Sequence, residues 1–127
     1  MRLLALSFAL VAMPVRAEPV ALTASEIESL LTGKTAVGDW KGRAYRQYFN
    51  EDGSTIFAMR RSQSTLGEWR VNSDTDQYES KWSEPEWEAY GLAREGSTLF
   101  WTGDDLEPQA FELVDGADLL WPEQKKK

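Results

Sequence analysis

With 127 residues, 21 acidic against 14 basic side chains, a formal net charge of −7 and neither Cys nor His, this chain excludes several chemistries at once. Cysteine nucleophiles, Ser-His-Asp triads and zinc sites of the Cys or His type have no residues to use, so any metal site would be all-oxygen, suited to calcium or magnesium. Nucleic acid is a poor partner as well, because phosphate binding needs a basic face and here acids dominate.

The chain begins with an export pattern. Met1-Arg2 is a short positive start, Leu3 to Met13 form an apolar run, and Val15-Arg16-Ala17 places small residues where a signal peptidase reads them. The run is too short to cross a bilayer core of about 30 Å as a helix, so it reads as a cleaved segment and not as an anchor. Residues 1–17 are therefore expected to be a signal peptide. The mature protein would start at Glu18 and be periplasmic or secreted, with no membrane anchor after cleavage. Cleavage leaves 110 residues with 12 basic and 21 acidic side chains, a net charge of −9, and the size of one domain. Six Trp, five Phe and four Tyr must enlarge its core, since no disulfide is available.

Thr23 and Glu26 have the spacing of a capping box, with Leu22 and Ile27 placed as a hydrophobic staple. A short helix follows, with Ile27, Leu30 and Leu31 on one face and Gly33 at its C-terminal end. Beyond it the hydrophobic period changes from 3.6 to 2. Turn signals recur at Asn50 to Gly53, Ser73 to Asp76, Arg94 to Ser97, Thr102 to Asp105 and Asp115-Gly116, with short strands between them. Strands are expected at 35–38, 43–49, 54–61, 66–72, 77–82, 86–93, 98–102, 109–114 and 118–121. The fold class is mainly β, an antiparallel meander or small barrel of about eight strands, preceded by one short helix. It forms a single β domain over 18–122.

Alternation puts Trp69 with Val71, Tyr78 with Ser80 and Trp82, and Phe111 with Leu113 on core-facing sides. The run from Ser54 to Arg60 is apolar on both faces, so it is expected to be a central strand or one flanked by the helix. Pro122 is expected to stop the last strand, leaving 123–127 as a frayed polar tail.

Three constellations invite a chemical reading. Glu84, Glu86 and Glu88 surround Trp87, as in sites that bind or cleave sugars, yet glycoside cleavage needs two carboxyls facing each other across a cleft. As neighbours on an exposed strand they need no function. Asp74-Thr75-Asp76 and Asp104-Asp105-Leu106-Glu107 do not match the twelve-residue calcium loop and read as turns. Ser62 to Thr65 carry hydroxyls with no base at a useful spacing and read as a loop. No cofactor and no catalytic residue is assigned. The Trp residues remain: most are expected in the core, with Trp40, Trp87 and Trp101 as candidates to line a ligand pocket.

The order of Leu31 to Thr35, Tyr45 to Phe49 with Asp52 to Thr55, Gly67 to Val71, Tyr78 to Trp82 and Trp87 to Tyr90 resembles a family of small exported bacterial β-domain proteins of unknown function, lipocalin-like in character. Gly67-Glu68-Trp69 is also similar to the Gly-x-Trp motif of the lipocalins. The resemblance implies a signal peptide, a helix and a compact β-meander, but no reaction. Family members often carry a cross-strand disulfide where this chain has Glu79 and Ala89.

Function is thus expected to be non-catalytic binding of a small apolar or sugar-like ligand, or of a basic protein. An acidic inhibitor of a cationic hydrolase of the lysozyme type and a minimal carbohydrate-active enzyme are the alternatives.

Overall fold

A computed structural model describes residues 18–125, and the expected signal peptide at 1–17 lies outside the described residues. Strand β1 (Val20–Ala21) leads into helix α1 (Ala24–Leu31), where the capping box forms as expected. The Thr23 hydroxyl accepts from the Glu26 amide at 3.3 Å and the Glu26 carboxylate accepts from the Thr23 amide at 3.1 Å. Eight residues make a marginal helix in isolation. Its buried residues Ile27 and Leu31 supply the missing stability by packing into one end of the sheet. Asp76 holds the helix start from a distant turn, accepting the Ala24 amide at 2.8 Å. Gly33 ends the turn with φ of +75°, the left-handed conformation that a Cβ disfavours.

Eight antiparallel strands follow: β2 (Lys34–Trp40), β3 (Arg43–Phe49), β4 (Ser54–Met59), β5 (Thr65–Asn72), β6 (Gln77–Lys81), β7 (Trp87–Glu95), β8 (Thr98–Gly103) and β9 (Leu106–Asp115). Each pairs with the next, and β9 returns to β2 with Ala36 opposite Leu113. The result is a closed up-and-down barrel, with β1 added outside on β7 through Ala21 and Ala93. Glu79 and Ala89 stand directly opposite each other on β6 and β7.

One expected strand is absent. Residues 118–121 run without strand pairing, because β9 already has β2 and β8 as neighbours and a closed ring leaves it no free edge. The segment instead straps the outside of the barrel: the Asp118 carbonyl accepts from Arg46 at 2.8 Å, and the Trp121 ring lies between Arg46 and Arg60 at 5.6 and 5.3 Å. The described part of the tail, up to Lys125, is also better fixed than expected. Pro122–Lys125 form the short helix α2, held by Glu123 on Arg60 and Lys125 on Asp118.

The two-sided apolar run in β4 is explained by the same strap. Phe57 and Met59 point into the barrel, while Ala58 is buried on the outside, opposite the Arg46 that Trp121 covers. Helix α1 packs elsewhere, against β2, β5 and β6. It closes one end of the barrel, where Phe49 and Trp69 meet edge to face at 5.4 Å and the Trp69 indole donates to the Asn50 carbonyl at 2.8 Å. Among the described residues, no helix lies over the other end.

Candidate functional site: the open mouth of the barrel

The hairpin between β2 and β3 needs only two residues, Lys41 and Gly42, both with positive φ, as tight hairpins require. That economy keeps Trp40 on the last position of β2, at the open rim. Across the mouth, Trp40 meets Tyr90 of β7 edge to face at 5.3 Å, and Phe57 of β4 meets Trp82 at 5.9 Å. With Met59 these rings border a cavity of about 300 Å³.

Trp82 lies inside because β5 leaves room for it. A Cβ on Gly67 would stand 2.5 Å from the Trp82 ring and 2.7 Å from the Lys81 carbonyl oxygen, closer than any side chain tolerates. The Gly67-Glu68-Trp69 motif thus has two jobs on one face of the strand. Trp69 fills the closed end, and Gly67 gives its space to a ring at the open end.

The floor of the cavity is polar. The Gln47 amide donates to the Tyr78 hydroxyl at 2.8 Å and to Thr55 Oγ1 at 3.0 Å, and the Trp101 indole donates to the Tyr45 hydroxyl at 2.8 Å. Both phenols thereby accept bonds, and Tyr78 is also bonded to Ser80. The Gln47 carbonyl oxygen accepts no hydrogen bond among the described residues. Burial pushes the Tyr78 hydroxyl up to about 12, only partly offset by its bonds to Ser80 and Gln47. Burial pushes Tyr45 up as well, against the bond from Trp101. Both phenols stay protonated at neutral pH, donors in a dry floor and not bases.

Of the three expected pocket tryptophans, Trp40 and Trp101 line the cavity and Trp87 does not. Trp87 points outward, its ring covered by the Arg70 guanidinium at 3.8 Å and the Lys81 ammonium at 5.2 Å. The reason is the register of β7. Glu88 pairs with Ser80 and Tyr90 with Tyr78, so alternation sends Glu88 and Tyr90 inward and Trp87 outward. The same register corrects the expected carboxylate row. Glu84 and Glu86 belong to the exposed loop before β7, whereas Glu88 reaches the cavity rim. Its charge, after burial, helps raise the Tyr90 hydroxyl. No ion pair to Glu88 occurs among the described residues.

Tyr45, Gln47, Phe57, Met59, Trp82 and Tyr90 also line the cavity and were not singled out from the sequence as pocket residues. One signal was legible: Gln47 sits between Tyr45 and Phe49 in an alternating run, a polar residue on the buried face of a strand. Among the described residues no group of three or more acidic side chains is placed to hold a metal ion. Asp76 is committed to the α1 N-terminus, and Asn72 accepts the Asp74 amide at 2.9 Å, a local turn bond. No family model, curated protein or solved structure matches the chain, so the reading of the mouth rests on its own geometry.

Proposed function

We propose that this protein is exported to the periplasm or beyond and there binds, without turnover, a small and largely apolar molecule in the open mouth of the barrel. The observation that carries this reading is the cavity itself: aromatic walls at the end that no described helix covers, and a floor of phenol hydroxyls beside the Gln47 amide. Such a combination gives affinity through the walls and orientation through a few polar groups. Its volume of about 300 Å³ suits a molecule of one or two rings.

Two features support binding over catalysis. A glycoside-cleaving site needs a carboxyl pair about 5 to 9.5 Å apart, and among the described residues Glu88 is the single carboxylate bordering this cavity. The buried phenols are held neutral, so neither serves as a base. The resemblance to small exported β-domain proteins accords with the same reading.

The test is a ligand titration followed by Trp emission. A saturable response with a single site is expected for small aromatic compounds, and it disappears in Met59→Arg, which fills the mouth with a charged side chain. Unchanged binding in that variant, or hydrolysis of a glycan by the wild-type protein, overturns the proposal.

A further inference from the structure

The mouth also carries information about the charge of what it holds. Among the described residues that line the cavity, Glu88 is the only acidic or basic side chain; no Lys or Arg joins it. It stands beside the edge-to-face pair of Trp40 and Tyr90, with Trp82 and Phe57 forming a second edge-to-face pair in the same cavity. Aromatic faces present negative potential, and aromatic rings gathered around one space are suited to receive ammonium groups on the faces they leave open. A carboxylate at the edge of such a space adds attraction of the same sign.

The protein's own side chains show the tendency. The ammonium of Lys41, the next residue in the chain, lies 5.8 Å from the centre of the Trp40 ring, within the range of a cation–π contact. Lys41 is exposed on a two-residue turn and is not among the residues lining the cavity, so a ligand cation can take its place. The other cation-bearing tryptophans, Trp87 and Trp121, hold their partners on the outer surface. The excess of acidic residues over the whole chain favours the approach of cations over anions.

We infer that the mouth of the barrel selects small organic monocations, an ammonium or quaternary ammonium group on an apolar or aromatic body, with the positive end at Glu88, Trp40 and Tyr90. The apolar body lies deeper, between Phe57, Met59 and Trp82. This rests on the reading of the mouth as a ligand site, and the experiment separates the two.

The probes are benzyltrimethylammonium and its neutral isostere neopentylbenzene, with phenylacetate as the anion, each titrated into the purified protein and followed by Trp emission. The cation is expected to bind roughly three- to tenfold more tightly than the isostere, with the anion weakest. Glu88→Gln is expected to weaken the cation by a similar factor and to leave the isostere within about twofold, as for removal of one partly screened charge. Lys41→Met removes the competing ammonium and is expected to tighten the cation alone. Equal or tighter binding of the isostere overturns the inference while leaving the pocket standing. So does a Glu88→Gln variant that loses both probes equally. Failure of all three probes to bind overturns the pocket reading together with the inference.

Discussion

The two ends of this barrel are built from the same kind of residue and end in opposite states. At one end Phe49 and Trp69 are buried and Ile27 and Leu31 of α1 press over them, with Trp69 further tied to the Asn50 carbonyl. At the other, Trp40, Phe57, Met59, Trp82 and Tyr90 are only partly buried and surround a space. Aromatic content alone therefore does not make a core or a site; the presence of a covering element decides. One short helix, fixed by its capping box and by Asp76, turns its end into a plug. Among the described residues the opposite end has only hairpin turns and short loops, and its rings stay partly exposed.

The largest effect should come from emptying the plugged end. Trp69→Ala is expected to cost about 3 to 5 kcal/mol of stability in urea unfolding, as for removal of a large buried ring. Trp40→Leu at the rim should cost less than about 1 kcal/mol while weakening ligand binding. Equal losses at the two positions would break the contrast between the ends.

Next in size is the alkaline limit, which reports on the dry floor between them. The Tyr78 hydroxyl is raised from 10.0 to about 12. Below pH 10 it is protonated in both folded and unfolded chains, and the stability linked to it is fully present. As pH rises from 10 through 12 the unfolded chain ionises first, so stability falls, by on the order of 2 kcal/mol for this group. Urea unfolding across that range should show the decline, and Tyr78→Phe should flatten it.

Gly67→Ala sharpens the comparison on a single strand, because the new methyl collides with Trp82 and not with Trp69. A loss of about 1 to 3 kcal/mol is expected, together with a changed Trp emission and a distorted mouth. Smallest is the cap: Thr23→Ala should cost about 1 kcal/mol, reducing the hold of α1 on the closed end while ligand binding at the far end stays intact.

Much of the architecture was legible because it is local. The capping box, the alternation in β5, β6 and β9, and turns such as Asn50 to Gly53 each depend on a few adjacent residues. What was missed depends on closure or on faces. Residues 118–121 have the look of a strand, and only the completed ring shows that no edge is free for them. The tail has polar composition, and only its partners Arg60 and Asp118 fix it. In β7 the outward residues Trp87, Ala89 and Ala93 are as apolar as the inward Tyr90 and Leu92, so alternation exists but does not say which side is inside. That ambiguity put Trp87 among the expected pocket residues and Glu88 on an exposed strand face away from them. Trp40 and Trp101 were legible as candidates, whereas the floor of Gln47, Tyr45 and Tyr78 comes from strands β3 and β6, distant in sequence.

The six tryptophans, distributed between the two ends and the outer surface, provide a direct test of where this protein binds. Their indole N–H resonances, assigned by single substitutions, can be followed by NMR while benzyltrimethylammonium and neopentylbenzene are titrated in parallel. The account predicts shifts at Trp40, Trp82 and Trp101 with either probe, and none at Trp69 under α1 or at the outer Trp87 and Trp121. Shifts confined to Trp87 or Trp121, or no shift at the three mouth indoles, would contradict it.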